Sequence, residues 1–358
     1  MAGLASLVLA GVAAVCLTGC ANIGYYVDSA SGHLRLMNAA RPVQEVVDDQ
    51  QTRPALRERL RLAQRMREFA VRELHLPDNA SYRRYADLGR AAAVWNVVAA
   101  PPHAIELKTW CFPVTGCVGY RGYYDEAAAQ AEAAAVAAQG FEVQVYPVPA
   151  YSTLGWLNWA GGDPLLSTFI GYPEGELARL LFHELAHQVV YVQGDTMFNE
   201  SFATAVERLG GAIWLQREAS SEARAAYADF DGRRRQFREL ARRTREQLAA
   251  HYAASAGDAA AREAGKQRIL AAFRDDYARL RAGWTGDASR WRGYDAWVAR
   301  ANNAFFATQA AYDGLVPGFE AIFESVGRDW PRFYDAVRAL ARLPREERHR
   351  RLKESPGG

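Results

Sequence analysis

Two histidines stand four residues apart in the segment LLFHELAHQVVYVQGDTMFNESFATAVE, which runs from residue 180 to residue 207. On an α-helix, His183 and His187 would project from one face, one turn apart, close enough to bind the same metal ion. Glu184 stands beside the first histidine. The pattern His-Glu-x-x-His is typical of sites in which both imidazoles bind Zn²⁺ and the glutamate acts as a general base. The alternative is a surface helix that carries two incidental histidines.

A third protein ligand is expected, because catalytic zinc sites usually have three protein ligands and an open position for water. Glu200 follows His187 after twelve intervening residues, in the stretch FNESFATAVE, which has helical character. Glu207 lies seven residues further along, on nearly the same face of that helix. We therefore expect Glu200 to complete the metal site, with Glu207 and Asn199 supporting the ligands, for example by holding an imidazole N–H.

The motif HELAHQ followed by FNESFATAVE resembles the gluzincin metallopeptidases, and especially the aminopeptidase N class. The resemblance implies that His183, His187 and Glu200 bind one zinc ion. It also implies that Glu184 is the catalytic base. Two differences from that class are visible: Ser201 stands in place of a glycine, and the connection between the second histidine and the third ligand is shorter.

Gluzincins also present an edge strand above the metal, to which the substrate backbone adds as a further strand. The stretch AYSTLGW, residues 150–156, has a similar position in this chain, although an ordinary core strand would fit the pattern equally well. A donor for the reaction's oxyanion is needed too, and Tyr312 is the first candidate. Asn302 and Asn303 either line the pocket or lie on a helix surface. The candidate substrate-binding residues are Ser152, Thr153, Leu154 and Gly155.

Beyond these motifs, nearly the whole chain after residue 20 resembles a family of bacterial lipoproteins described as predicted aminopeptidases, with WCFPVTGCVGYRGY as a further shared stretch. The resemblance implies a zinc-dependent peptidase that removes N-terminal residues from peptides. A zinc endopeptidase is the nearest alternative. A non-catalytic envelope lipoprotein with a structural metal is another, but structural zinc usually has four protein ligands, and the segment described above offers three beside a glutamate.

The first twenty residues, MAGLASLVLAGVAAVCLTGC, form a short apolar run followed by small residues, as in an export signal. The ending LTGC resembles the lipobox of bacterial lipoproteins, in which the cysteine is acylated and becomes the new N-terminus. Cys20 would then anchor the protein to a membrane by lipid, on the periplasmic side of the cell envelope. The alternative is a buried N-terminal helix.

That compartment is oxidising, which bears on Cys111 and Cys117. Two β-rich runs flank Thr115 and Gly116 between them, so a hairpin could bring the two thiols together as a disulfide. A pair of buried free thiols is the alternative.

The patterns along the chain predict the elements that position these residues. Helical spacing predicts helices within residues 51–76 and 126–140, and alternation in FEVQVYPV predicts a strand. Beyond the metal-binding motif the chain is mainly helical, with a long antiparallel hairpin at about residues 218–284 and helices around YDAWVARANNAFFATQAAY and DWPRFYDAVRALARL. With the resemblance above, we expect an α+β fold, mainly α, with a zincin-like core and a small mixed sheet.

The predicted organisation is a signal peptide (1–20), a tether with little periodicity (21–45), a zinc metallopeptidase domain (46–345) and a basic flexible tail (346–358). The chain has 43 basic and 41 acidic residues, and this balance gives no reason to expect a nucleic-acid partner.

Overall fold

The computed structural model describes residues 24–112, 116–150, 152–153, 155, 158–255, 257–285 and 291–354, without the side chains of residues 160 and 310–313. Most of these residues are helical, and no helix among them is long and apolar enough to cross a membrane. The helices are α1 (24–39), α2 (Val43–Asp48), α3 (Pro54–Leu74), α4 (Glu126–Ala137), α5 (Glu174–Ala186), α6 (Thr196–Arg217), α7 (Ser221–Ala254), α8 (Ala259–Ala282), α9 (Arg292–Ala299), α10 (Asn303–Asp313), α11 (Val316–Ser325), α12 (Trp330–Ala341) and α13 (Arg345–Glu354).

The strands form separate small sheets, where the sequence predicted a single mixed one. One sheet has the order β1-β2-β8, with β2 antiparallel to β1 and parallel to β8, and another is antiparallel with the order β6-β3-β7, so β7 is an edge strand. A third pairs β4 with β5 as a hairpin. The strands are β1 (Arg41–Pro42), β2 (Arg84–Ala86), β3 (Val94–Ala100), β4 (Trp110–Phe112), β5 (Gly116–Val118), β6 (Arg121–Tyr123), β7 (Glu142–Val148) and β8 (Leu165–Leu166). The prediction of an α+β fold that is mainly α is confirmed.

Helices α3, α5, α6, α11 and α12 share the larger apolar core, in which Phe182, Phe202 and Phe319 are fully buried. Helices α5 and α6 approach each other closely because α6 carries two adjacent glycines. A Cβ atom on Gly210 would lie 3.2 Å from Phe182 Cδ2, and one on Gly211 would lie 2.7 Å from Arg179 Cγ, both on α5. The close packing of α5 against α6 places the two halves of the metal-binding motif side by side.

Helices α7 and α8 pack as an antiparallel hairpin. Phe237 in the middle of α7 contacts Tyr277 late in α8, with ring centroids 5.9 Å apart, and His251 late in α7 donates a hydrogen bond to the Arg262 carbonyl at 3.1 Å, early in α8. A second core, rich in aromatic side chains, joins this hairpin to α9 and α10. The hairpin also contacts α5, so it supports the metal-binding motif from one side.

Three elements differ from the sequence-based prediction. The segment predicted as a tether contains α1, whose Leu36 and Met37 are buried in the larger core. The segment predicted as a flexible tail contains α13, where Leu352 is buried. The helix predicted around residues 294–312 is divided, because Asn302 has extended backbone (φ −147°) and its side chain accepts a hydrogen bond from the Phe305 N–H at 3.2 Å, which caps a new helix.

Candidate metal centre and its cavity

Helix α5 positions the two histidines as the spacing requires. His183 lies in its last turn, and His187 follows its last residue with helical backbone angles, its N–H donating to the His183 carbonyl at 3.3 Å. The two imidazoles therefore project from one face, and their Nε2 atoms are 3.2 Å apart. His187 is buried.

Glu200, in the second turn of α6, faces this pair across the helix interface. Its Oε2 atom lies 3.3 Å from Nε2 of His183 and 3.8 Å from Nε2 of His187. One potential ligand atom from each of the three residues lies within 4.8 Å of the other two. We call these three residues the metal centre.

Glu207 lies behind His183. It is two turns further along α6 than Glu200, on nearly the same face. Its Oε2 atom is 2.9 Å from Nδ1 of His183, and its Oε1 atom accepts a hydrogen bond from the Arg179 guanidinium. Burial alone would raise the pKa of Glu207, but the charge of Arg179 and the hydrogen bond from His183 hold this pKa well below its usual range. Glu207 is therefore an anion that fixes a proton on Nδ1 and turns the Nε2 lone pair of His183 towards the metal centre.

The donor set fits a metal ion. With a proton on Nδ1 of His183 facing Glu207, Nε2 of His183, the imidazole of His187 and the carboxylate of Glu200 can all donate electron pairs to one cation. The Nδ1 atom of His187 is buried without a hydrogen-bond partner among the described residues. Two imidazoles and one carboxylate are the ligands of many catalytic zinc sites.

Glu184 lies next to the metal centre and lines the same cavity. Burial raises the pKa of its carboxyl group to about 7, and a hydrogen bond from the Ser152 side chain acts against that increase. A carboxyl group with a pKa near neutrality is suited to accept a proton and then to release it. This property was not visible in the sequence, which gave only the position of the residue.

The cavity above the metal centre has a volume of about 730 Å³, which is in the range of small-molecule and peptide sites. Its floor carries His183, Glu184, His187 and Glu200, and its walls come from α1, β3, the β4–β5 hairpin and the end of β7. Among the described residues that line it, the carboxylates are those of Glu184 and Glu200.

Five tyrosines are among the described residues that line this cavity, and the sequence analysis missed the two that lie near the carboxylates of its floor. Tyr120 lies within electrostatic reach of both Glu200 and Glu184, and Tyr191 lies within reach of Glu200. Burial, followed by the charge of Glu200, raises the pKa of both hydroxyl groups, so each remains a hydrogen-bond donor at neutral pH. The position of Tyr120 depends on the fold of residues far along the chain from the histidines, and no local pattern indicated it. Tyr312 belongs to α10, but its side chain lies outside the described residues.

The segment predicted as the substrate strand is not a strand in its described part. Strand β7 ends at Val148, and residues 152, 153 and 155 belong to a loop. The Thr153 N–H donates to the buried carboxylate of Asp163 at 3.0 Å, and this contact bends the chain away from the sheet. Ser152 nevertheless lines the cavity. Leu154 lies outside the described residues.

A cluster of hydrogen bonds holds the same loop against the end of α5. The Ser81 hydroxyl donates to Asn158 Oδ1 at 2.9 Å and accepts from Gln188 at 3.2 Å. Gln188 directly follows the second histidine. Gly155 has φ +79°, and a Cβ atom there would lie 3.2 Å from Gln188 Oε1. Gly155 therefore permits a close turn over α5 and does not offer a side chain to substrate.

The remaining predicted site residues have structural contacts. Asn199 lines the cavity, but its side chain exchanges two hydrogen bonds of 2.8 Å with the backbone of Val192 and so fixes the loop between α5 and α6. Asn302 caps α10, and the fully buried Asn303 donates to the carbonyls of Pro101 and Pro102. Neither Asn302 nor Asn303 is among the described residues that line the cavity.

A disulfide joins Cys111 to Cys117 and closes the β4–β5 hairpin. The hairpin packs on the loop between α5 and α6, since a Cβ atom on Gly116 would lie 2.9 Å from the Gly194 nitrogen. Phe112 and Val118 from this hairpin line the cavity. The disulfide therefore holds one wall of the cavity against the metal-binding helices. Cys20 lies outside the described residues.

The site described above combines a convergent set of metal ligands, a buried carboxyl group with a raised pKa and a large cavity, as a hydrolytic enzyme requires. The chain matches a family model described as "Putative aminopeptidase" over residues 24–352. It belongs to this family, and the family description supports peptidase activity. No curated protein and no solved structure matches the chain.

Proposed function

We propose that the protein is a zinc-dependent peptidase of the gluzincin type, with a zincin-like core, that removes N-terminal residues from peptides. The observation that carries the proposal is the convergence of His183, His187 and Glu200 beside Glu184 at the floor of the large cavity. Zinc held by these three residues would supply a Lewis acid that polarises the scissile carbonyl and makes water more acidic.

The protein's own groups account for the proton transfers. Glu184 accepts a proton from the attacking water and then donates it to the departing amine, as its raised pKa permits. Ser152 donates a hydrogen bond to Glu184 and orients its carboxyl group. Tyr120 replaces Tyr312 as our first candidate for the group that donates a hydrogen bond to the substrate oxygen as negative charge develops there.

Strand β7 supports binding of an extended peptide. It is the edge strand of its sheet, and Val148 at its end lines the cavity. A substrate backbone could pair with the end of this edge nearest the cavity and place its scissile bond above the metal centre. This assigns to β7 the role that the sequence suggested for residues 150–156.

The N-terminal specificity is supported by the family description. The experiment that tests it is zinc analysis of the purified protein together with hydrolysis of amino-acid arylamides, free peptides and N-acetylated peptides. We expect about one zinc per chain and cleavage only where the amino group is free, with zinc and activity lost together in Glu200→Ala. Cleavage of the acetylated peptides at internal bonds would instead indicate an endopeptidase, and zinc without any hydrolysis would indicate a structural metal in a non-catalytic lipoprotein.

We further propose that Cys20 carries a lipid that anchors the enzyme on the periplasmic side of the cell envelope. The support is the LTGC motif and the disulfide, since disulfides persist in oxidising compartments. Incorporation of a labelled fatty acid, lost in Cys20→Ser, tests the anchor. Equal labelling of that variant would contradict it.

A further inference from the structure

A second cavity, of about 280 Å³, lies between the helical hairpin and β7. We call it the arginine pocket. Aromatic side chains form one wall, where Phe237 stacks edge-on against Tyr294 with ring centroids 4.6 Å apart and Trp297 against Phe305 at 6.0 Å. No catalytic step described above uses this pocket.

The arginine pocket continues the catalytic cavity along one face of β7. Alternate residues of a strand share a face, and Gln144 and Tyr146 line the arginine pocket while Val148 lines the catalytic cavity. Tyr146 stands at the boundary, because its ring borders the arginine pocket and its hydroxyl accepts a hydrogen bond from Asn96, which lines the catalytic cavity. The distance from Val148 to Gln144 is about 13 Å for four residues of extended chain, so an extended peptide of similar length could reach from one cavity to the other.

The charged side chains among the described residues that line the arginine pocket are all cationic. Among the described residues that line it, the charged ones are Arg234 and Arg238, and no carboxylate is present. Arg234 is held in place by Glu176 at 2.7 Å and by Asp231. Arg238 lies one turn further along α7. An arginine has five N–H donors and can therefore serve more than one acceptor. Guanidinium groups bind carboxylates through paired hydrogen bonds.

We propose that the arginine pocket binds the C-terminal carboxylate of the substrate, so that the enzyme prefers short peptides with a free C-terminus. The aromatic wall would pack against the last side chain, while Arg238 binds the carboxylate. This inference rests on the proposed function, because it takes the substrate to be a peptide lying along β7. A carboxylate on the side chain of the last residue could form the same hydrogen bonds with Arg238, so the test includes a peptide that carries one.

The test uses the zinc-loaded full-length protein and three versions of one tetrapeptide: the free acid, the C-terminal amide, and an amide whose last residue is glutamate. We expect the free acid to have a KM about tenfold lower than either amide, as for loss of a hydrogen bond to a charged group, with kcat nearly unchanged. Arg238→Gln should remove this difference. Arg242→Gln is the matched control, because Arg242 lies on the same helix and pairs only with exposed glutamates among the described residues.

Equal KM values for acid and amide in the wild type, or an unchanged preference in Arg238→Gln, would overturn the proposal. A low KM for the glutamate amide would also overturn it, since the pocket would then read a side chain. The same peptides titrated calorimetrically into Glu184→Gln protein, with and without Arg238→Gln, keep the two hypotheses separate. If the wild type cleaves nothing yet binds the acid more tightly than the amide through Arg238, the pocket stands and the proposed function fails.

Discussion

Two buried clusters of histidine and carboxylate side chains lie near the start of α6. In the metal centre, His183, His187 and Glu200 converge as electron-pair donors at the floor of a large cavity. In the other, which we call the Asp195 cluster, the carboxylate of Asp195 accepts from His349 at 2.9 Å, from the Phe198 N–H at 3.2 Å and pairs with Arg348 at 3.1 Å. In the Asp195 cluster, the carboxylate oxygens are acceptors, and each of these three partners carries N–H groups that can donate.

The difference shows how a binding site is distinguished from a structural cluster of similar residue types. The Asp195 cluster joins α13 to the cap of α6 and is complete without a ligand. The metal centre brings three potential ligand atoms within 4.8 Å of one another, and Nδ1 of His187 has no partner among the described residues. The two clusters therefore differ in the roles of their groups and not in residue type. N–H donors surround the acceptor oxygens of Asp195, whereas the three groups of the metal centre can all donate electron pairs to one ion.

The largest effect is expected for Glu184→Gln. This change keeps the shape of the side chain and removes the base, so kcat should fall roughly a hundredfold to ten-thousandfold. Zinc content and thermal stability should stay at wild-type values, because Glu184 is not a ligand. The measurement is peptide hydrolysis and zinc content in the same sample, and we expect hydrolysis to be nearly abolished while the zinc content stays normal. Wild-type turnover in this variant would remove Glu184 from the mechanism.

A somewhat smaller loss is expected for Tyr120→Phe. Removal of one hydrogen-bond donor to a developing oxyanion typically lowers kcat about a hundredfold to a thousandfold. Tyr191→Phe is the matched control. Tyr191 lies within electrostatic reach of Glu200, whereas Tyr120 lies within reach of both Glu200 and Glu184. The two variants should be compared by kcat and KM on one arylamide substrate. A loss confined to Tyr191→Phe would reassign the role.

Glu207→Gln should weaken the metal centre without abolishing it. The change removes the anion that orients His183 and leaves the buried Arg179 with Asp231, at 3.4 Å, in place of two carboxylate partners. Loss of such a supporting residue typically lowers metal affinity about 10-fold to 100-fold. Competition with a fluorescent zinc chelator measures this change. An affinity equal to that of the wild type would show that Glu207 does not orient the ligand.

Asp195→Asn should have the smallest effect on the metal centre and act on stability alone. Burial would raise the pKa of Asp195, but His349, the Phe198 N–H and Arg348 lower it overall. The carboxylate therefore stabilises the fold above about pH 4, where aspartate is ionised in the unfolded chain, and this contribution is lost as the pH falls through the lower pKa of the folded state.

In urea unfolding at pH 7, Asp195→Asn should lose about 1–3 kcal/mol of unfolding free energy, the usual cost for a buried hydrogen bond to a charged group. The difference from the wild type should shrink as the pH falls below about 4. Zinc affinity should not change. A loss of zinc with unchanged stability would mean that the two clusters do not differ as described.

The proximity of the candidate ligands was predictable in part because their spacing is local. The periodicity of α5 places His183 and His187 on one helix face, and the short connection to α6 keeps Glu200 near them. The long hairpin was predictable for the same reason. Helix α1 was missed because its apolar residues contact partners far along the chain, as Gly32 does where it packs against Tyr124.

The walls of the cavity were not predictable. Tyr120 directly precedes β6, whose sheet is formed by three separate stretches of the chain. The loop after β7 bends because Asp163, ten residues further on, binds the Thr153 N–H. The arginine pocket likewise requires α7, α9, α10 and β7 to meet. Such contacts depend on tertiary packing, which local spacing does not encode.

The most direct test of the account is anomalous diffraction from crystals of the zinc-loaded protein, recorded on both sides of the zinc absorption edge. The account predicts one strong anomalous peak per chain, enclosed by Nε2 of His183, Nε2 of His187 and the carboxylate of Glu200, and none at the Asp195 cluster. The absence of a peak at the metal centre, or a peak held by Asp195 and His349 instead, would contradict it.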